Sequence, residues 1–266
     1  AITPYKKYKS IGSEKDIKSL EVDRNIQMCI NGSKLINQKI QIEPITKTDI
    51  KEEEAFRSYD MQIIGGKLLV KPDDFKAKAD KALGENSILY LGKGANELLY
   101  SSYGEKDDNK NIYKVIRRID GSWSSPILLS DKINTEYDED FPIIRPNSKT
   151  LYFCSKGHNS VGGYDIFKSI LDTKTDTWSK PVNLGFDINS PADDILYVFT
   201  EDEKTSFYST NRASIDGVTT VYHITLNEVP GKPEPILATS NMDEDEQKYK
   251  QQNVKVFTGE YDTTGL

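Results

Sequence analysis

The chain repeats itself. ENSILYLGKGANELLYSS (85–102), DEDFPIIRPNSKTLYFCS (138–155) and DDILYVFTEDEKTSFYST (193–210) align without a gap at offsets of 53 and 55. Each copy is two short apolar runs around a polar turn. Each continues through a glycine-containing connection into a third run: NIYKVIR from Asn111, DIFKSIL from Asp165 and TVYHITL from Thr220. The first two copies add a fourth, GSWSSPILLSDKIN and TDTWSKPVNLGFDIN, which sets Trp123 and Trp178 55 residues apart. A fixed period restricts the fold more than composition does, and four short strands per period is the pattern of a β-propeller blade.

Local chemistry agrees with that period. Pro146, Asn147 and Ser148 supply turn residues between the first two runs of the second copy, where the other copies carry GKGAN and TEDEK. Gly162 and Gly163, like Gly104 and Gly217, are expected to provide positive φ in the next connection. Trp123 and Trp178 are expected on outer strands, filling the wedge between neighbouring blades. The third copy runs into NEVPGKPEPIL and lacks a fourth strand, so NQKIQIEPI (37–45) is the expected partner that completes it. MQIIGGKLLV predicts a hairpin around Gly65 and Gly66, followed by a short helical segment, within an incomplete blade over 46–84.

The ends read differently. Residues 13–31 predict a helix, with Ser13 as N-cap, Asp16 three residues on, one face of Val22, Ile26, Cys29 and Ile30, and Gly32 as its stop. The expected organisation is a helical segment over 1–36, the β-propeller over 37–228, a polar linker over 229–252 and the first strand of a following β-domain over 253–266. The fold class is therefore mostly β: a propeller of four-stranded blades with a short N-terminal helix. Fifteen Tyr and nine Phe beside three Met suit strands better than a helical bundle. A net charge of −7 with no basic stripe argues against nucleic acid as a partner. Cys29 and Cys154 form no disulfide framework and read as small apolar residues. No apolar run approaches the roughly 20 residues that span a bilayer. AITPYKKYKS lacks the pattern of a signal peptide, so an export signal is expected to be removed or to lie outside this sequence.

EDFPIIRPNSKTLYFCSKGHNSVGGYDIF and TWSKPVNLGFDIN resemble the PD40, or WD40-like, repeats of TolB-type propellers. The likeness is closest to those of outer-membrane-associated proteins of Bacteroidota that join tetratricopeptide helices, a PD40 propeller and an OmpA-like domain, some with a carboxypeptidase-regulatory-like domain between. A type IX secretion component is among them. It spans 85–225, with RPNS, GKGA and TEDE where the family has SPDG. The resemblance implies a periplasmic, outer-membrane-associated chain whose partners are other cell-envelope proteins. It places the helix at 13–31 where the tetratricopeptide part would end. Peptidoglycan would be reached only through an OmpA-like domain that these residues do not include.

Candidate chemistry is sparse. His158 lies in a Gly- and Asn-rich turn and His223 in a strand, neither matched to a nucleophile, so catalysis is not expected and both read as surface or packing residues. The recurrent polar feature is the acidic lead-in to the first strand: Glu85 in the first copy, Asp138, Glu139 and Asp140 in the second, Asp193 and Asp194 in the third. A ring of these carboxylates at one mouth of the channel can hold a cation such as calcium through oxygen ligands. The alternative is that they accept backbone N–H groups in the turns leading into each blade, and this reading is preferred. Two functions follow: a noncatalytic scaffold for protein–protein contacts, or a glycan-binding or hydrolase-like propeller with Tyr90, Tyr137 and Tyr197 as platforms. The first is the expectation.

Overall fold

The computed structural model describes residues 2–36, 42–105, 109–145, 149–213 and 216–226. They belong to the first of two compact units, Ala1–Asn227 and Glu228–Leu266. The linker and final strand expected over 229–266, the turn residues 146–148 and the start of the 37–45 segment fall outside the described residues.

The N-terminal part is α1 (Ile2–Ile11), α2 (Glu14–Ser19) and α3 (Val22–Leu35). Ser13 caps as expected: its Oγ accepts the Asp16 N–H at 3.2 Å and donates to the Asp16 carboxylate at 2.7 Å. The single helix expected over 13–31 is instead broken, because Glu21 adopts a left-handed φ of 45° between α2 and α3. Gly32 does not stop α3. It lies inside the helix, where a Cβ would sit 3.3 Å from the Phe186 ring, so the residue makes room. The helix docks by Asn31, whose Nδ2 donates to the Ser160 carbonyl at 3.0 Å, and by Arg24, which donates to the Lys156 carbonyl at 3.1 Å and lies 4.7 Å over the Tyr137 ring.

The remainder is mostly β, in separate antiparallel sheets. In chain order come β1 (Ile42–Lys51), β2 (Gly66–Val70), α4 (Lys78–Ala82), β3 (Ile88–Gly92), β4 (Glu97–Ser102), β5 (Asn111–Ile116) and β6 (Ile127–Leu128). Then follow β7 (Glu139–Ile144), β8 (Thr150–Ser155), β9 (Asp165–Asp172), β10 (Thr177–Trp178), β11 (Val182–Asn183), β12 (Asp194–Phe199), β13 (Thr205–Thr210) and β14 (Val218–Leu226). The second copy forms a sheet in the order β10-β9-β8-β7, with β11 also on β9, and the third copy forms β12-β13-β14. β1 completes the third sheet by pairing along β14 from Ile42↔Leu226 to Lys51↔Val218, so an N-terminal strand supplies what NEVPGKPEPIL does not, although it extends past the expected 37–45 segment into the stretch expected to form an incomplete blade.

The copies share a backbone irregularity. β7 and β12 each shift register against their partner, and the shift falls at Phe141 (φ 48°) and Leu196 (φ 57°), which are equivalent positions. The first copy lacks it: β3 pairs with β2, and β4 heads a separate sheet, β4-β5-β6. The hairpin expected around Gly65 and Gly66 is likewise not formed. Ile64 bridges Thr200 beside β12 and the next residues run as β2 along β3, from Gly66↔Gly92 to Val70↔Ile88. Gly66 is needed there because a Cβ would strike the Leu91 carbonyl and the Tyr90 ring.

Side chains fill the spaces between sheets. Leu99, Ile112, Leu151, Phe153 and Phe167 join the first sheet to the second, with Trp178 against them. Tyr152, Cys154, Ile166, Tyr197, Phe199 and Tyr208 join the second to the third. Tyr59, Leu68 and Tyr90 meet Ile143, Leu196 and Val198, tying the β2–β3 pair to the later copies. Trp123 packs on the cluster of Leu89, Leu98 and Tyr100, edge-on to Phe75. Gly104 and Gly217 do adopt positive φ, at 65° and 67°. Gly162 and Gly163 do not: a Cβ there would strike the Pro191 carbonyl and the Asp193 carboxylate, so close approach rather than φ requires glycine.

Candidate functional site: the carboxylate clamps

The acidic lead-ins occupy equivalent positions and make equivalent bonds. Asp138 accepts the backbone N–H of Lys110 at 3.0 Å, and the Glu139 N–H returns a bond to the Lys110 carbonyl at 2.9 Å. One copy later Asp193 accepts the Tyr164 N–H at 2.8 Å while the Asp194 N–H donates to the Tyr164 carbonyl at 2.7 Å. Lys110 and Tyr164 stand just before β5 and β9, so each acid sews the start of its own first strand to the third strand of the preceding copy. Lys156 and Asn211, again 55 apart, add side-chain donors to Asp138 (2.8 Å) and Asp193 (3.3 Å).

The next residue closes a loop within its own copy. Glu139, fully buried, accepts from the Thr135 N–H (2.8 Å), Thr135 Oγ1 (2.7 Å) and Ser155 Oγ (2.7 Å). Asp194, equally buried, accepts from the Ser190 N–H (2.5 Å), Ser190 Oγ (2.8 Å) and the Arg212 guanidinium (2.7 Å). Burial raises the Glu139 carboxyl to about 7, against the bonds from Thr135 and Ser155, and raises that of Asp194 despite Arg212. The first copy reaches the same end from elsewhere. Glu85 accepts from the Ser87 N–H at 2.9 Å and the Ser87 hydroxyl, and pairs with Lys110 at 2.9 Å. Asp80 of α4 takes the buried role, accepting from Ser102 Oγ (2.7 Å), the Tyr103 N–H (2.8 Å), the Ala77 N–H (2.9 Å) and Lys71 Nζ (3.1 Å).

Asparagines finish the clamp. Asn134 Oδ1 accepts the Ile112 N–H at 2.7 Å and its Nδ2 donates to the Ile112 carbonyl at 3.2 Å; Asn189 does the same to Ile166 at 2.8 and 2.9 Å. Each amide imitates one residue of a pairing strand. These residues were not singled out from the sequence, although Asn-Thr at 134–135 and Asn-Ser at 189–190 share the 55-residue offset and precede the acids by a fixed step. Asp80 and Lys71 carried no such signal, since they lie outside the stretches that repeat.

The six predicted acids therefore do not face one open mouth. Glu139, Asp140 and Asp194 are buried, Asp140 against Lys110 Nζ at 2.7 Å, and among the described residues no group of three or more His, Cys, Asp or Glu is placed to hold a metal ion. The backbone-accepting reading is the one the geometry favours. Asp165, at the head of β9, accepts the Val161 N–H (2.8 Å) and the Asn183 amide (2.7 Å), and burial pushes its carboxyl to about 7.

Both histidines pack. His158 Nε2 lies 2.9 Å from the Ile133 carbonyl with its ring against Phe153 and Phe167, and His223 stacks on Phe207 at 4.1 Å. Burial lowers both imidazoles. Cys154 is buried, Cys29 half-buried, and both are free thiols. The three candidate tyrosine platforms are not brought together. Tyr90 lines a cleft of about 820 Å³, Tyr137 lines another of about 700 Å³, and Tyr197 is buried against Tyr152. Among the described residues no helix is long and apolar enough to cross a membrane. No family model matches the chain, and neither a curated protein nor a solved structure does.

Proposed function

We propose that this chain is a noncatalytic scaffold, a propeller of PD40-like blades whose surface loops hold protein partners in a periplasmic or outer-membrane assembly. The observation that carries this reading is the fate of the polar groups. The recurring acids and asparagines are engaged in hydrogen bonds that hold the fold, Asp138 and Asp193 between one copy and the next and Glu139, Asp194, Asn134 and Asn189 within a copy. The order of packing supports a ring: first sheet on second, second on third, and the β2–β3 pair on strands of both later copies. So does the pairing of β1 with β14, which joins the two ends of the repeat region in one sheet. Affinity isolation of the native full-length protein from gently solubilised envelopes tests the function. Stoichiometric envelope proteins, lost when connections such as 157–163 are altered, are the expected result. Retention of the protein alone on a glycan array would replace this reading with a lectin.

A further inference from the structure

Two buried carboxyls hold the two ends of one connection, residues 156–163, and the N-terminal helices sit on that connection. At its start Glu139 accepts Ser155 Oγ at 2.7 Å, and Ser155 Oγ accepts the Gly157 N–H at 2.8 Å. Thr135, which also donates to Glu139, lies so close that a Cβ on Gly157 would strike its hydroxyl. At the other end Asp165 Oδ2 accepts the Val161 N–H and the Asn183 amide, and Asn183 reaches on to the Asn159 carbonyl at 3.4 Å. α3 lands between these ends, Arg24 on the Lys156 carbonyl and Asn31 on the Ser160 carbonyl, with Gly32 facing Val161. Burial works against a charge on either carboxyl. Among the described residues Asp165 Oδ1 meets no donor, so ionisation leaves a bare anionic oxygen in the interior.

The surrounding charges do not relieve this. Asp138, paired with Lys156, disfavours a charge on Glu139, as Asp193 and Asp194 do on Asp165, where Arg212 is paired with Asp194. The Cys154 thiol feels Asp140, Asp165 and Asp194 and is kept protonated by burial. From α3 comes Arg24, paired with Glu21. His158 of the connection itself, near Lys180, is lowered by burial and acts in the opposite sense.

We propose that residues 156–163 form a proton-operated latch: with Glu139 and Asp165 neutral the connection is closed and seats α3, and with both ionised it opens, hydrates the carboxylates and frees α3. Thr135 and His158 also line the cleft of about 700 Å³, which gives water a short way to Glu139. The sign follows from linkage. Each carboxyl stands at about 7 in the closed state and at its ordinary 4.5 or 3.8 once exposed to water. Closure therefore takes up protons between those values and weakens as pH rises through that window. This regulation goes beyond the scaffold reading and does not depend on it, since the latch acts whatever the surface loops bind.

The test is amide hydrogen exchange on the full chain at about pH 6 and about pH 8, each corrected for the intrinsic exchange rate. Protection at Gly157, Val161 and the α3 amides is expected to fall by about tenfold or more between the two, while the amides of β8 hold theirs. In Glu139→Gln/Asp165→Asn the fall is expected to vanish. An equal fall in β8 and in the connection would mean global unfolding instead of a latch, and would overturn the proposal. So would unaltered protection at the two pH values, a connection that opens while α3 stays protected, or an undiminished fall in the double variant. Should that variant fail to fold, the comparison of connection, α3 and β8 in the wild type decides by itself.

Discussion

The second and third copies solve the same problem with the same residues, and the first copy solves it with different ones. Glu139 and Asp194 lie at equivalent positions and bind the N–H and hydroxyl of Thr135 and Ser190, four residues upstream in each case. In the first copy the equivalent position is Asn86, and Asp80 reaches Ser102, the counterpart of Ser155, from a helix. The first strand differs too: β7 and β12 carry a positive-φ residue and pair with their neighbours, whereas β3 pairs backwards with β2. What is conserved between copies is a buried carboxylate under a hydroxyl at the end of the second strand. How that carboxylate arrives is free to vary, since burial demands that its oxygens find donors but not that the donors share a sequence position.

The sharpest way to break this comparison is to remove the lysine that only the first copy needs. Lys71→Met leaves Asp80 as a buried carboxylate without its cation and strips the Ser101 carbonyl, and is expected to cost about 3–5 kcal/mol in chemical denaturation. Adding Asp80→Asn, which removes the buried charge and keeps an acceptor for Ser102, Tyr103 and Ala77, should restore part of that loss. A cost for Lys71→Met no larger than a surface substitution would show that the first copy is not held this way.

Acidity separates the copies by sign. Glu139 and Asp165 titrate at about 7 when folded, above their ordinary values of 4.5 and 3.8. Between those values and about 7 the folded chain keeps protons that the unfolded chain has released, so stability falls as pH rises through this window. Asp80 is shifted the other way: burial would raise it, but bonds from Ser102, Tyr103, Lys71 and Ala77 leave it lowered. Its contribution is present above its ordinary 3.8 and is lost as pH falls through its lower folded value. The two lowered imidazoles act in the opposite sense, so the carboxyls are read as a difference: between about pH 5 and about pH 8 in urea unfolding, the wild type is expected to lose more stability, or gain less, than Glu139→Gln/Asp165→Asn. The same pH dependence in wild type and variant would remove the two carboxyls from the account.

Asn134 and Asn189 allow a finer comparison, being the same device in two copies. Alanine at either leaves a buried N–H unmet, that of Ile112 or Ile166, while the carbonyl keeps the N–H of Leu129 or Leu184, and each is expected to cost about 1–3 kcal/mol, closely matched. A large inequality in thermal or urea unfolding would show that the two sheets are not held alike. The smallest effect lies at the turn before each tryptophan, where Gly121 (φ 84°) and Asp176 (φ 53°) are equivalent. Asp176→Gly is expected to stabilise slightly and Gly121→Ala to destabilise by about 1 kcal/mol, read as opposite shifts in Tm.

Much of this was legible without coordinates. The repeat located every paired strand of the second copy, the Ser13 cap follows from hydroxyl and acid three apart, and the missing fourth strand of the third copy foretold an N-terminal partner. The acids were found as well, and with them the preference for backbone donors. Other features were out of reach. Gly65-Gly66 has the local chemistry of a hairpin, yet Ile64 goes to Thr200 and β2 to β3 because those edges need partners. Gly32, Gly162 and Gly163 look like breakers or turn formers and are instead places where Phe186, Pro191 and Asp193 come close. Tyr90, Tyr137 and Tyr197 recur as aromatics on or before first strands, but their neighbours separate them.

The sequence by itself determined the period, the strands within it and the positions where acid and amide recur, because these depend on local alternation and on spacing along the chain. Only the tertiary structure decided which strand β3 pairs with and which acid serves the first copy. Those outcomes turn on competition among groups far apart in sequence for a limited number of buried hydrogen bonds, and that competition leaves no local trace.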